Sequence, residues 1–460
     1  MPRRNVATVT TLTVNPYLQG NFAPVREERD DLALEVTGSI PPELNGMLIR
    51  NGPNPVLDPD PSMYHWFIGD GMLHGIELSG GKARYRNRWV RTRSARAALG
   101  EDVPDGSVFE QWDGSVANTS VVRHAGRLLA LVEVSLPTEI CSDLSTLGPF
   151  DFGGRLTGSF TAHPKIDPAT GEMLFFGYEF LSEPYLNFHV VDADGALVKS
   201  QGIDLPSPVM MHTFAVTATR AVFLDLPVVF DLDLLERQPF PFTWRPENGA
   251  RVGVMSRHGD DPEVVWIDID PCYVYHEFNA YDDVDGNIVL DVVVYPDMFA
   301  TDRYGPGSTS PSLQRWTIDP AARRVTRQTL DDRSEEFPRI NDRFSGLPYR
   351  YGYSTELAVG HTWWKLGGLR KHDLLMDHTE RHDVGPGGAA IEPVFIPAAD
   401  DNGEDAGWVV SVVYDPGRGA SDVIVVDASN FSGPAVARIH LPQRVPFGFH
   451  GAWIPGASLD

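Results

Sequence analysis

The histidines carry the clearest chemistry in this sequence. Four of the fourteen stand in apolar segments that are typical of strands. They are His163 in SFTAHPKID, His212 in VMMHTFAVT, His276 in YVYHEFNAYDD and His450 in PFGFHGAWIP. Neutral imidazoles bind divalent first-row metals, and a site of four nitrogens leaves room for O2 on iron. Four separately hydrogen-bonded core histidines are the alternative, and the residue types alone leave both interpretations open.

A second group of histidines occurs in KHDLLMDHTERHD, at His372, His378 and His382. Its neighbours are charged. The stretch HTERH spaces two histidines four residues apart, but it has no helical context and its glutamate is misplaced for a zinc protease. The segment is therefore predicted to be a solvated polar turn.

The elements that must position these residues are hairpins. Runs rich in Val, Ile, Phe and Tyr are joined by short tips containing Asp and Gly, as in NFHVVDADGALVKS and AYDDVDGNIVLDVVVYP. This pattern predicts antiparallel pairs from about residue 70 to residue 430. Helical periodicity is scarce, so the fold class is all-β.

Recurring hairpins without a strict sequence period favour a β-propeller over a sandwich. A chain of 460 residues at roughly 60 to 65 residues per blade gives seven blades. His163 and His212 are 49 residues apart, and His212 and His276 are 64 apart, close to one blade each. One histidine on each of several inner strands would therefore point toward a common axis.

The domain organisation is predicted to be simple. Residues 1–30 are interpreted as an extended N-terminal arm and residues 31–460 as a single propeller domain, since no segment resembles a linker. Loops and short helices are expected to cap the central metal site.

Composition excludes some partners. The formal net charge of -25 comes from 63 acidic and 38 basic residues, which argues against nucleic acid because phosphate contacts need Lys and Arg. No run of about 18 apolar residues occurs, and MPRRNVATVT lacks the apolar core of a signal peptide. A cytoplasmic location is predicted, and nothing in the sequence indicates an oligomeric state.

Ten segments of the chain resemble, in order, those of the carotenoid cleavage oxygenase superfamily. This superfamily includes apocarotenoid oxygenases, lignostilbene dioxygenases and the retinoid isomerase of the visual cycle. The segments are PPELNGMLIRNGPNP, YHWFIGDGMLHGIEL, YRNRWVRT, NTSVVRHAGRLLALVE, FTAHPKIDPATGEM, MMHTFAVT, YHEFNAYDD, EEFPRIN, EPVFIPA and FHGAWIP.

The resemblance implies a seven-bladed propeller with non-haem Fe(II) on its axis. Members of the family use O2 to cleave an alkene into two carbonyl compounds. The residues matching the family's iron ligands are His163, His212, His276 and His450.

The resemblance also implies residues around the iron. Three family glutamates hold three of the imidazoles, and Glu133, Glu336 and Glu392 match them. A carboxylate that accepts the distal ring N–H fixes the tautomer and raises the basicity of the ligand. Thr119 in VANTSVV matches a threonine near the open position of the iron.

Two departures from the family's pattern concern the site, and the first bears on the substrate. Lignostilbene-type members carry a lysine just before the first glutamate, where this chain has Val132, and no tyrosine partner follows NRWVRT. A clamp for a phenol is thus missing, which favours a carotenoid or apocarotenoid. The second departure is Thr213, where many relatives have aspartate after the histidine.

Other functions remain as alternatives. The same cleavage could act on a stilbene or phenylpropanoid of the resveratrol, isoeugenol or 4-vinylguaiacol type. A redox-neutral isomerase would use the same fold without consuming O2. A hydrolase-type propeller or a silent binding module would lack iron.

Residues 233–246, DLLERQPFPFTWRP, offer a candidate membrane contact through Leu234, Leu235, Phe240, Phe242 and Trp244. A buried loop between blades is the alternative. The expected partners are therefore an apolar alkene, O2 and, peripherally, a membrane.

Glu277 follows His276 directly. On a regular strand adjacent side chains point to opposite faces, so Glu277 is predicted to point away from the site that His276 faces. It is therefore interpreted as a structural acid between blades.

Overall fold

Seven antiparallel sheets dominate the computed structural model, which describes residues 14–104, 115–235, 237–238, 240–258, 263–301, 310–358, 365–399 and 403–459. Each sheet has four to six strands, and consecutive strands pair as hairpins within it. The sheets are the blades of a propeller, so the prediction of an all-β fold with seven blades is confirmed.

Blade 1 closes the ring, because it joins strands from both ends of the chain. Its register pairs Ile49 with Ala452. Its strands are Asp30–Asp31, Gly46–Pro53, Gly71–Ser79, Lys82–Trp89 and Gly451–Pro455.

Blades 2 to 4 follow in chain order. Blade 2 comprises Ser120–His124, Arg127–Leu131, Thr138–Ile140 and Thr146–Pro149. Blade 3 comprises Lys165–Ile166, Met173–Tyr178, Leu186–Val191 and Leu197–Ile203. Blade 4 comprises Phe214–Val216, Arg220–Asp225, Ala250–Ser256 and Val264–Ile269.

Blades 5 to 7 complete the ring. Blade 5 comprises Tyr273–Asp282, Ile288–Tyr295, Ser312–Asp319 and Arg324–Asp331. Blade 6 comprises Glu335–Arg339, Tyr351–Ala358, Lys365–Asp373 and His378–His382. Blade 7 comprises Glu35–Gly38, Ala389–Ala390, Val394–Pro397, Gly407–Asp415, Ala420–Asp427 and Ala437–His440.

Inner strands of neighbouring blades contact one another around the axis. Each blade is covered on both faces by its neighbours, so its strands carry apolar side chains on both faces. These side chains, packed between the blades, form the core. The strand Ile288–Tyr295 of blade 5, with the sequence IVLDVVVY, is buried at every position.

A cap interrupts this regular pattern. A two-stranded hairpin, Val228–Phe230 with Phe242–Trp244, is inserted between the second and third strands of blade 4. One α-helix occurs in the described residues, Arg93–Leu99, which begins after Thr92 and ends at Gly100 in the left-handed region (φ 73°). The described short 3-10 helices are Pro16–Leu18, Gly20–Phe22, Trp66–Ile68, Leu232–Leu234, Pro246–Asn248, Asp342–Phe344 and Ala428–Asn430.

The N-terminal arm predicted at residues 1–30 is described from residue 14 onward; residues 1–13 lie outside the described part. Tyr17 stacks on Trp66 with ring centroids 5.5 Å apart, and Phe22 packs edge-on against Phe447 at 4.9 Å. Both aromatic rings are buried in the core. The described part of this arm is therefore packed against the propeller.

The prediction of a solvated turn at His372, His378 and His382 is wrong for two of the three. His378 is exposed, but His372 and His382 are buried in blade 6. His372 Nε2 lies 2.8 Å from Glu335 Oε2, and His382 Nδ1 lies 3.0 Å from the Phe431 carbonyl. Groups that are distant in sequence, rather than water, therefore satisfy these two rings.

Within the described residues, no helix is both long and apolar enough to cross a membrane.

Candidate metal centre

Each blade contributes one residue of the predicted site at or just before its inner strand. Since these strands surround the axis, residues separated by up to several hundred positions converge there. In blade order from blade 2 around to blade 1, the residues are Thr119, His163, His212, His276, Glu336, Glu392 and His450.

Four imidazoles meet at the centre. One ring nitrogen each of His163, His212, His276 and His450 lies within 4.8 Å of the others. The Nε2 atoms of His163 and His212 are 3.0 Å apart, and those of His212 and His276 are 3.1 Å apart. Three of the side chains are buried and His163 is half-buried.

His276 is held by Glu336, which is fully buried. The ring donates its Nδ1–H to Glu336 Oε2 at 2.6 Å. The Tyr295 hydroxyl donates to Oε1 at 3.1 Å, and the Phe337 N–H donates to Oε2 at 2.5 Å. Phe337 adopts a left-handed backbone (φ 56°), a strained conformation that is typical of functional sites.

His450 is held by Glu392 in the same way. Its Nδ1–H donates to Oε1 at 2.7 Å, and the Gly451 N–H donates to Oε2 at 2.7 Å. Arg50 and Arg339 each place a guanidinium nitrogen 3.3 Å from Oε2. Burial alone raises the pKa of Glu392, but the interaction with His450 through its hydrogen bond and the charges of Arg339 and Arg50 outweigh burial and hold this pKa well below its usual range.

Glu133 contacts His212 Nδ1 and accepts a hydrogen bond from the Tyr178 hydroxyl. Its side chain is 13% exposed, whereas those of Glu336 and Glu392 are 0% and 2% exposed. Burial and the neighbouring carboxylate raise the pKa of Tyr178, so its hydroxyl stays protonated.

Burial also favours the neutral form of His450 and His163. It lowers the pKa of His450 to about 4, although Glu392 acts in the opposite direction. Burial and the other three imidazoles hold the pKa of His163 well below its usual value. Neutral rings are the form that binds a metal.

The donor set fits a divalent transition metal. A carboxylate at Nδ1 of His212, His276 and His450 leaves Nε2 of each ring with a lone pair that faces the centre. Lone pairs about 3 Å apart repel each other, and a cation between them turns that repulsion into coordination. The four histidines can therefore hold a metal ion.

An apolar cavity of about 300 Å³ reaches this centre, and we name it the aromatic cavity. His212, His276 and His450 form part of its wall, next to Thr119 and Val132. The Thr119 hydroxyl is engaged, because it donates to Asn118 Oδ1 at 2.8 Å. The aromatic rings of the wall belong to Phe67, Tyr178, Phe180, Phe240, Phe242, Tyr275, Phe337 and Phe449.

The membrane contact predicted at residues 233–246 is wrong for its phenylalanines. Phe242 is buried and Phe240 stacks on His65 with ring centroids 4.5 Å apart. Both line the aromatic cavity, because the cap hairpin folds over the metal centre. Of the five apolar residues named, Leu235 is the one that is exposed, at 48%.

Glu277 does not follow the regular alternation. The pairing of its strand with Ile288–Tyr295 shifts on both sides of Glu277, so the strand is irregular there. Glu277 and His276 line the same second cavity, of about 570 Å³. The predicted alternation fails there because it assumed a regular strand. The interpretation of Glu277 as an acid between blades agrees with its contacts to Lys165 and Thr213.

Sequence reasoning missed the residues that hold the glutamates: Tyr178, Tyr295, Arg50 and Arg339. The sequence around one of these four residues did indicate a buried ion pair. Arg50 stands in the apolar strand segment MLIRN, and a charge in such a segment requires a buried partner. That partner, Glu392, is 342 residues away in sequence.

Comparisons with known proteins agree with this geometry. The family model described as retinal pigment epithelial membrane protein matches residues 22–455. A carotenoid cleavage oxygenase of Mycobacterium tuberculosis (strain CDC 1551 / Oshkosh) is 40% identical, covering 96% of this chain and 98% of the relative. An isoeugenol monooxygenase of Pseudomonas nitroreducens is 32% identical, covering 96% of this chain and 98% of the relative.

The crystal structure of Pseudomonas brassicacearum lignostilbene dioxygenase is also similar. Its TM-score is 0.87 at 30% identity, and the match covers 96% of this chain and 99% of that chain. Together with the histidine centre, these matches make the chain an oxidoreductase that acts with O2 in the oxidative cleavage of an alkene. The chain belongs to the carotenoid cleavage oxygenase family, which is the family of the retinal pigment epithelial membrane protein.

Proposed function

We propose that this chain is an Fe(II)-dependent dioxygenase that cleaves one C=C bond of a carotenoid or apocarotenoid with O2 into two carbonyl products. His163, His212, His276 and His450 would hold the iron. Ferrous iron supplies the redox chemistry that activates O2. The observation that carries the proposal is an aromatic cavity with three of these histidines in its wall.

The wall of this cavity suits a polyene. Aromatic and aliphatic side chains line most of it, and apolar walls favour a long hydrocarbon through burial alone. Val132 faces the cavity, where the family's phenol-binding lysine would place a charge. The lining therefore supports an apolar substrate over a phenol.

The residues around the centre have separate tasks in this proposal. Glu133, Glu336 and Glu392 orient three imidazoles and fix their tautomers. Thr119 restricts access beside the histidines, and the aromatic rings hold one double bond near the centre while they exclude water.

The chain would collect its substrate at a membrane surface while residing in the cytoplasm. Exposed apolar residues occur on segments that reach the aromatic cavity: Ile68 lines it, and Leu181 follows Phe180, which also lines it. Leu232 and Leu235, 58% and 48% exposed, stand in the loop between the two strands of the cap hairpin. These four residues replace the predicted Phe240 and Phe242 as the contact with lipid.

A substrate panel tests the proposal. Fe(II)-loaded protein is incubated in air with β-carotene, an apocarotenal, resveratrol, isoeugenol and 4-vinylguaiacol, and carbonyl products are identified by mass. Cleavage of a polyene at one bond is expected. Cleavage of the phenolic compounds alone would replace the proposed substrate class by the stilbene or phenylpropanoid class.

The matched control separates the centre from the fold. His276→Ala removes a proposed iron ligand, whereas His189→Ala removes a buried histidine that contacts Ser200 in blade 3. The proposal requires that only His276→Ala abolish cleavage.

A further inference from the structure

His163 differs from the other three histidines of the centre. His212, His276 and His450 each contact a carboxylate through Nδ1. Among the residues that the structure describes, no carboxylate contacts the His163 ring. It is also the least buried of the four. Something other than a carboxylate must therefore hold this ring in position.

Three residues that flank the histidines contact one another beside His163. Lys165 lies two positions after His163, Thr213 follows His212, and Glu277 follows His276. Lys165 Nζ pairs with Glu277 Oε1, and the Thr213 hydroxyl donates to Glu277 Oε2 at 2.7 Å. The two oxygens of Glu277 thus join blades 3, 4 and 5.

The environment makes these contacts strong. The side chain of Lys165 is 19% exposed and that of Glu277 is 7% exposed, so water screens the pair weakly. All three residues line the second cavity, and His163 lines it with them. The irregular strand at Glu277 is what brings the carboxylate to this cavity.

We propose that Lys165, Thr213 and Glu277 form a positioning triad that fixes His163 for metal binding, in place of the carboxylate that the other histidines have. The triad ties the backbone on which His163 stands to the backbones of His212 and His276. It also gives Thr213 a role at the position where many relatives have aspartate. The inference rests on the proposed function, because it requires that the centre bind a metal.

The test measures how fast the metal is lost. Protein loaded with Fe(II) without air, or with Co(II), is mixed with an excess of a chromogenic chelator, and the rate of metal transfer is recorded. The variants are Lys165→Met, Glu277→Gln, Thr213→Val and Thr213→Ser. Urea unfolding of the metal-free proteins is measured in parallel.

A matched ion pair serves as control. Arg251 and Asp225 pair at 2.7 Å within blade 4, with side chains 25% and 7% exposed. Asp225→Asn therefore removes a carboxylate of similar burial that lines neither the aromatic cavity nor the second cavity. It is expected to lower stability and leave the rate of metal transfer unchanged.

Lys165→Met and Glu277→Gln are expected to lower metal affinity on the order of 10- to 100-fold, the usual effect of removing a residue that supports a ligand, and to release the metal correspondingly faster. Thr213→Val is expected to release it faster than Thr213→Ser, which keeps the hydroxyl. The Co(II) absorption spectrum should change in the same variants.

Unchanged transfer rates in folded Lys165→Met and Glu277→Gln would overturn the triad, and so would equal acceleration by Asp225→Asn. If Lys165→Met does not fold, the comparison of metal-transfer rates between Thr213→Val and Thr213→Ser still tests the triad. Wild-type protein that binds neither metal would overturn the proposed function together with the triad. If the wild-type protein binds the metal and the variants release it at the wild-type rate, the triad alone would be overturned.

Discussion

The Nε2 atoms of His212 and His276 lie 3.1 Å apart, although each ring turns its Nδ1 toward a carboxylate. A neutral ring that carries its proton at Nδ1, beside the carboxylate, has a lone pair at Nε2. Two lone pairs therefore face each other in a buried centre. The two lone pairs repel each other in the metal-free protein, whereas a cation between them is coordinated by both.

Metal binding is accordingly expected to stabilise the protein. Fe(II) or Co(II) at a thousand times its dissociation constant adds about 4 kcal/mol to the free energy of unfolding. Thermal unfolding with and without the metal measures this gain. His276→Ala should lose most of the gain while His189→Ala retains it, and an equal gain in both variants would place the metal elsewhere.

Glu392→Gln is expected to destabilise the protein more than Glu133→Gln. Glu392 lies against Arg50 and Arg339, and Arg50 is buried, so the variant leaves positive charge without its anion. Breaking such a pair costs roughly 3 to 5 kcal/mol. Urea unfolding of the metal-free proteins at pH 7 compares the two, and equal losses would contradict the account of the two arginines.

The loss caused by Glu392→Gln should depend on pH. The folded state holds the pKa of Glu392 well below the usual value of about 4.3, so its contribution is complete above that pH. As the pH falls further, the carboxylate takes up a proton in the unfolded chain first, and the contribution shrinks. The difference between wild type and Glu392→Gln should therefore be larger at pH 7 than at pH 3.

Val132→Lys is expected to change substrate preference. An ammonium in the wall of the aromatic cavity would be poorly solvated, so polyene cleavage should fall at least about tenfold. The same group can bind a phenol, so the ratio of kcat/KM for resveratrol to that for a carotenoid should rise. Val132→Leu keeps the wall apolar and should not raise this ratio. A rise in that control would mean that the shape of the cavity, and not the charge of the lysine, changes the substrate preference.

Leu232→Ser with Leu235→Ser is expected to weaken binding to vesicles of zwitterionic lipid, since both side chains are exposed. Zwitterionic lipid is the suitable probe because the net charge of -25 repels an anionic surface. Sedimentation with the vesicles measures the effect. Phe242→Ser serves as control: its ring is inside the cavity, so it should reduce cleavage and leave vesicle binding intact.

Local patterns predicted the architecture well. A hairpin such as NFHVVDADGALVKS depends on residues that are close in sequence, and the structure pairs its two strands, with Val190 opposite Lys199. The number of blades followed from chain length together with roughly 60 to 65 residues per blade, and the family resemblance implied the same number. Glu133 and Glu392 were singled out by the family resemblance, and their apolar segments agree with it because a buried carboxylate needs a partner.

The failures share one cause, because each depended on contacts between residues distant in sequence. The charged neighbours of His372 in the sequence predicted a solvated side chain, yet His372 is buried and contacts Glu335 in another strand of the blade. Phe240 and Phe242 appeared available to lipid, but the cap hairpin turns them toward the histidines. Glu277 was placed by a regular strand, and the structure has an irregular one.

Oxygen consumption tests the central claim most directly. Fe(II)-loaded protein is given a limiting amount of the preferred carotenoid or apocarotenoid, and O2 uptake is recorded together with both carbonyl products. The account predicts one O2 consumed per alkene lost, two carbonyl fragments that together contain all carbons of the substrate, and no reaction in His276→Ala. Iron-loaded protein that converts the substrate without consuming O2, as an isomerase would, would contradict it.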